Sequence, residues 1–195
     1  SHAFCGLLAA IARGPVLSVD YRLAPEHRFP AGLEDVLAAY RWGRAHAGSY
    51  GAKGAAIGGD SMGGSFAAIV CQELKRAGED QPALQLLVYP CVDVASETPS
   101  MTTYADAFPL GRPMMEWIMG HYLSPDADPA DPRLSPLRSA DLAGLAPAVV
   151  ATAGFDPLVD QGDAYAAFTG AVPAADEACR EIAGLVRDAI AERRS

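Results

Sequence analysis

AAIGGDSMGGSFAAIV, residues 55–70, places a glycine-flanked serine between an apolar run and a stretch of small and apolar residues. Ala55, Ala56 and Ile57 read as the end of a buried strand, and Phe66, Ala67, Ile69 and Val70 follow at helical spacing. Gly59-Asp60-Ser61-Met62-Gly63 is then a strand-to-helix turn of G-x-S-x-G pattern. Such a turn holds the serine in a cramped backbone conformation, with glycines two before and two after to leave room. The Ser61 hydroxyl is expected at the top of a sheet. The first helical amides, beginning with Met62, face the same point with the positive end of the helix dipole behind them, where an oxyanion would be stabilised. The chain holds 19 glycines, so the pentapeptide alone also fits a turn without chemistry, and its surroundings have to decide.

Upstream, residues 3–12 read as a short apolar helix and Val16 to Val19 as a buried strand. Asp20 to Pro30, with two prolines, reads as an ordered loop. Leu33, Val36, Leu37 and Tyr40 recur at three- and four-residue intervals, predicting an amphipathic helix from Ala31 to about His46, ended by Gly48. Downstream, the helix after Ser61 runs to Arg76 before Gly78, and Leu84 to Tyr89 is a continuous apolar strand. Strand, helix, strand, helix, strand in sequence calls for a parallel sheet covered on both faces, an α/β fold.

Residues 91–140 break the rhythm with seven prolines and one helix, about Pro113 to Leu123. This excursion is expected to pack as an irregular loop over the sheet edge; the competing reading makes part of it a substrate-facing wall. Ala148 to Ala153 resumes as a strand and runs into Gly154-Phe155-Asp156-Pro157-Leu158. A carboxylate just past a strand's carboxyl end is where such sheets present catalytic groups, so Asp156 is the leading acid. Asp163 to Phe168 starts another helix, and Ala174 to about Glu192 a last one that should cover one face of the sheet. No strand pattern stands between these two helices, although the alternation demands one. The expectation is that about twenty residues are missing near 167–170.

The 195 residues suggest a single domain with one core. With 24 acidic and 15 basic residues the net charge is −9, which disfavours nucleic acid as a partner. Cys5, Cys71, Cys91 and Cys179 stand far apart, so neither a zinc site nor a disulfide framework is indicated, and a reducing cytoplasm fits. No apolar run reaches membrane-spanning length, and residues 1–15 lack the pattern of a signal peptide.

DYRLAPEHRFPA at 20–31, GDSMGG at 59–64, YPCVD at 89–93 and DPLVDQG at 156–162 together resemble the hormone-sensitive lipase-like branch of the α/β-hydrolases. The likeness covers most of the chain. It implies a mostly parallel central sheet, Ser61 as nucleophile, Asp156 as triad acid, a structural role for Asp20 and Arg22, and no metal or organic cofactor. It also implies hydrolysis of short- to medium-chain acyl esters and a possible homodimer through the last strand. The family's N-terminal cap, its HGGG oxyanion loop and its triad histidine have no counterpart in residues 1–195: the histidines at 2, 27, 46 and 121 all precede Asp156. A serine without a base is a poor nucleophile at neutral pH. Two other readings follow: a non-catalytic relative that binds a small molecule in the old pocket, as the plant gibberellin receptors of this branch do, and a serine peptidase of related fold, which leaves DYRLAPE unexplained.

Overall fold

The computed structural model describes residues 2–169 and 172–174. Four parallel strands lie in the order β1-β2-β3-β4: β1 Ile57–Asp60, β2 Gln85–Val88, β3 Ala148–Ala151 and β4 Val172–Ala174. Side chains alternate across the pleat, so each strand serves two faces. On one face Leu87 and Val150 pack with Ala67 and Ala68 of α3 (Met62–Arg76) and Tyr165 and Ala166 of α6 (Val159–Thr169). On the other, Leu86, Val149 and Ala151 meet Leu8 and Ala12 of α1 (His2–Ala12). Burying a side chain such as Leu87 contributes about 1.5–3 kcal/mol. Helices on both faces of a parallel sheet are the expected α/β architecture.

Helix α2 (Ala31–His46) sets Leu33 and Tyr40 on α3 residues Phe66, Ile69, Val70 and Leu74. The loop before it is tied down by Arg22, whose Nε and NH2 donate to Asp35 Oδ2 and Oδ1, both at 2.8 Å, while its backbone amide donates to Oδ2 at 2.9 Å. That side-chain bond to Arg22, with the backbone bond beside it, holds the Asp35 carboxyl down at about 2. Arg22 is therefore structural, as expected. Asp20 is exposed and makes no side-chain bond among the described residues.

Several boundaries differ from expectation. The strand before the serine begins at Ile57 and continues through Asp60, so Gly58 and Gly59 are ladder residues. Val16 to Val19 forms no strand: Val16 and Leu17 are 41% and 53% exposed, and no described segment offers the stretch a ladder. Apolar, β-branched composition makes a strand only where a partner supplies hydrogen bonds. Helix α6 starts at Val159, four residues before the expected Asp163.

The position expected to lack a strand is occupied by β4, which pairs with β3 through Val149–Val172, Val150–Pro173 and Ala151–Ala174. Three residues with a central proline leave almost no strand signal, and a proline is tolerated where, among the described residues, β4 lies at the end of the strand order. Of the residues 167–170 where the break is expected, 167–169 close helix α6, while residue 170 and the terminal helix expected at 174–192 lie outside the described residues, β4's Ala174 apart.

The excursion is more ordered than a loop. It contains α4 (Pro99–Thr103), α5 (Arg112–Tyr122) and a 3-10 turn at Pro136–Arg138. Arg28 donates to Gly120 O at 3.0 Å and also to Leu123 O, and the Phe29 amide donates to Tyr122 O at 3.0 Å, docking α5 on the DYRLAPEH loop.

Candidate active site

Ser61 sits between β1 and α3 with φ 52° and ψ −121°, a region L residues rarely occupy. One residue performs two tasks there. Its amide donates to Val88 O at 2.8 Å, extending the ladder one step past β1, and its carbonyl accepts from the Ser65 amide at 3.1 Å, opening the helix. Strain of this kind costs about 1–3 kcal/mol and persists only where its surroundings over-determine it. Those surroundings are close-packed backbone. A Cβ at position 59 would lie 2.3 Å from the Gly63 carbonyl carbon, and one at position 64 would lie 3.1 Å from both Gly59 O and Pro90 Cβ. A Cβ at position 63 would meet nothing within 4 Å. Of the two flanking glycines only Gly59 is demanded by space for its own side chain, and Gly64 is the second tight position.

Met62 is the first residue of α3. Its amide and the next ones lack intrahelical acceptors, as at any helix start, and they surround the residue that carries the serine hydroxyl. Ser61 Oγ makes no hydrogen bond among the described residues.

Asp156 stands past the carboxyl end of β3, two strands from β1 on the same edge of the parallel sheet. Its amide donates to Ala153 O at 3.2 Å, and its Oδ1 accepts from the Leu158 amide at 2.8 Å. Oδ2 has no hydrogen-bond partner among the described residues. Burial pushes the carboxyl above its ordinary range, and the Leu158 amide only partly offsets that. Beneath the edge lies Cys91, whose thiol is pushed up to about 12 by burial first and then by the charges of Asp93 and Asp156. It is a neutral filler and no nucleophile at ordinary pH.

The excursion reaches this loop. Ser100 of α4 donates its amide to Asp160 Oδ2 at 2.8 Å and its hydroxyl to Pro157 O at 2.7 Å. Tyr104 meets the exposed Phe155 edge to face, centroids 6.1 Å apart. Sequence reasoning missed Ser100 and Asp160, because a serine and an aspartate sixty positions apart carry no local signal.

The rings of His46 and His121 are engaged within their own helices. His46 Nδ1 lies 2.7 Å from Trp42 O with the two rings stacked, His121 Nδ1 lies 2.8 Å from Trp117 O, and the His27 amide bonds Leu23 O at 2.9 Å. None of these three bonds Ser61 or Asp156. Among the described residues no cluster of three or more His, Cys, Asp or Glu could hold a metal, and no helix is long and apolar enough to cross a membrane.

A strained serine at a strand-to-helix turn, with an acid two strands away on the same edge, defines an α/β-hydrolase. Residues 1–186 match the alpha/beta hydrolase fold family, and the chain belongs to it, in its hormone-sensitive lipase-like branch. Carboxylic ester hydrolase LipN of Mycobacterium tuberculosis is 47% identical over 172 residues, spanning 84% of this chain and 46% of that protein. Ethyl acetate hydrolase of Pseudomonas putida is 41% identical over 170 residues, spanning 85% and 54%. The Pyrobaculum calidifontis esterase superposes with a TM-score of 0.91 at 33% identity, over 96% of this chain and 70% of that one. The chain thus spans about half the length of the curated relatives it matches.

Proposed function

We propose that the protein carrying this chain is a carboxylic ester hydrolase with Ser61 as nucleophile and Asp156 as triad acid. The observation that carries the reading is Ser61 itself, held at φ 52° and ψ −121° where β1 meets α3. Retaining that strain is intelligible if the hydroxyl has to stand clear of the backbone. Ser61 Oγ attacks the acyl carbonyl carbon, and its proton passes to a histidine supplied from outside residues 1–195. The Met62 amide stabilises the oxyanion. Collapse of the tetrahedral adduct expels the alcohol, protonated by the histidine, and water then releases the acid from the acyl-enzyme. Asp156 orients the histidine through Oδ2, the oxygen its own turn leaves open.

The names of the relatives support an ester as the substrate class, and short- to medium-chain acyl groups follow from the family likeness. No metal or organic cofactor is needed for these steps. We read the chain as part of one hydrolase domain, with the excursion at 91–140 contributing a wall through Tyr104, which packs on Phe155 of the aspartate loop. The charge of −9 supports a small-molecule rather than a nucleic-acid partner, and the scattered cysteines support a cytoplasmic setting. β4, at the end of the strand order, is the strand through which two copies would pair.

The test is hydrolysis of a chromogenic short-chain ester, together with intact mass spectrometry after a serine-directed phosphonate. Ser61→Ala should lose about 10⁴-fold or more in kcat/KM and take up no adduct. Hydrolysis that survives this substitution removes Ser61 as nucleophile, and a wild-type protein that binds the ester without turning it over supports the small-molecule-binding alternative.

A further inference from the structure

Asp156 is the acid of the proposed hydrolase, and this inference rests on that reading. The bonds of its own turn are local, to Ala153, Leu158 and Val159, and cannot fix the loop relative to Ser61. Residues 153–155 of that loop are exposed. What ties it to the sheet is the first turn of α6, and there Gln161 is 1% exposed with both ends of its amide engaged. Oε1 accepts from the amides of Val92 at 2.9 Å and Asp93 at 3.0 Å, and Nε2 donates to Asp93 O at 2.8 Å.

Two donors on one side and an acceptor on the other match the two ends of a carboxamide, which offers both without having to take up a proton. An ionised glutamate would set a carboxylate oxygen against the Asp93 carbonyl, and a leucine would leave buried peptide groups unpaired. The bonded segment, 91–93, is the same one the serine side grips. Ser65, in the first turn of α3, donates its hydroxyl to Cys91 O, and Val92 packs against Ala67 and Ala68 of that helix. Cys91–Asp93 is therefore a strap bonded four residues after Ser61 on one side and five residues after Asp156 on the other.

We propose that Gln161 is a positioning residue for catalysis: through the 91–93 strap it sets the Asp156 carboxylate in register with Ser61. It touches neither substrate nor reacting atoms. Its contribution is the placement of Asp156 against the histidine, and misplacement by about 1 Å can cost roughly 10²-fold in rate.

The experiment compares wild type, Gln161→Glu, Gln161→Leu, Ser65→Ala and Asp156→Asn in the full protein, by kcat, KM, the pH profile of kcat/KM and thermal unfolding. The expected result for the Gln161 variants is a kcat lower by about 10- to 100-fold with KM nearly unchanged. Their acid limb should move to lower pH, in the direction Asp156→Asn moves it, because a histidine that loses its carboxylate partner is a weaker base. Ser65→Ala, which breaks the strap from the opposite side, should shift the limb the same way and decides the matter if the Gln161 variants do not fold. A folded Gln161 variant, or failing that a folded Ser65→Ala protein, with wild-type kcat and an unmoved acid limb overturns the proposal, even if its Tm falls. Ester hydrolysis that persists in Ser61→Ala, or that is absent from wild type, overturns the hydrolase reading and this inference with it, and is recognised without any Gln161 variant.

Discussion

Between β1 and α3 a single residue, Ser61, reverses the chain; between β3 and α6 residues 152–158 do so, with Asp156 in their midst. The serine turn is held by backbone packed on backbone, Gly59 against Gly63 and Gly64 against Gly59 and Pro90. The aspartate loop is held by side chains bonding to peptides, Asp160 and Ser100 on one flank and Gln161 on the other. A nucleophile has to project at one angle, which close packing enforces. An acid has to be held in register with one oxygen open, which a set of hydrogen bonds achieves at lower backbone strain.

The largest effect that separates the two regions is chemical. Asp156→Asn should lower kcat/KM by about 10⁴-fold, yet its Oδ1 still accepts from Leu158 and the fold should survive. Its stability should even improve. Burial raises the Asp156 pKa, so the folded state binds this proton more tightly than the unfolded chain, and the group's contribution to stability, complete below the ordinary carboxyl pKa, is lost as pH rises through the elevated value. The Tm of Asp156→Asn minus that of wild type should therefore grow from acid to neutral pH. A difference that shrinks instead would mean that the folded state favours the carboxylate.

Next comes a pair of glycines. Gly59→Ala forces a methyl onto the Gly63 backbone and should cost about 3 kcal/mol or more by denaturant titration. Gly154→Ala, in the aspartate loop, meets nothing within 4 Å and should change stability by no more than about 0.5–1 kcal/mol. Equal costs would break the contrast between packed and bonded turns.

Ser61→Gly should be more stable than Ser61→Ala by about 1 kcal/mol, the strain released at positive φ less the entropy that glycine loses on folding. Both are expected to be inactive, so the difference reads strain alone. The smallest effect lies at the surface: Arg22→Ala should lower Tm slightly at neutral pH. Because Arg22 depresses the Asp35 pKa to about 2, that stabilisation is present above the ordinary carboxyl range and lost as pH falls through about 2, so the Tm gap should close in strong acid.

The same contrast explains what could be read in the sequence. The spans of α2 and α3 match expectation to the residue, because three- and four-residue periodicity and the Gly78 stop are local. Gly59 and Ser61 stand in a recognisable pattern because excluded volume leaves almost no substitute at such a turn. The position of Asp156 past the end of an apolar strand was legible because that signal is local. Gln161 was not, because its role depends on Val92 and Asp93, some seventy positions earlier. Val16 to Val19 misled for the opposite reason: composition announced a strand whose ladder no described residue provides. β4 was hidden by its brevity and its proline.

The excursion leaves and rejoins the sheet at one place. The Val94 amide donates to Ser135 Oγ at 2.9 Å, and the Leu137 amide donates to Val92 O at 3.0 Å. Residues 95–134 thus form a closed loop hung from the strap that links the Ser61 and Asp156 turns. Lengthening a closed loop is cheap, about 0.6 kcal/mol for each doubling of a flexible one. A different stretch of chain spliced between 94 and 135 would leave the Cys91–Asp93 strap in place while removing the Ser100 bonds to Asp160 and Pro157, so the Asp156 loop would then hang on the Gln161 flank.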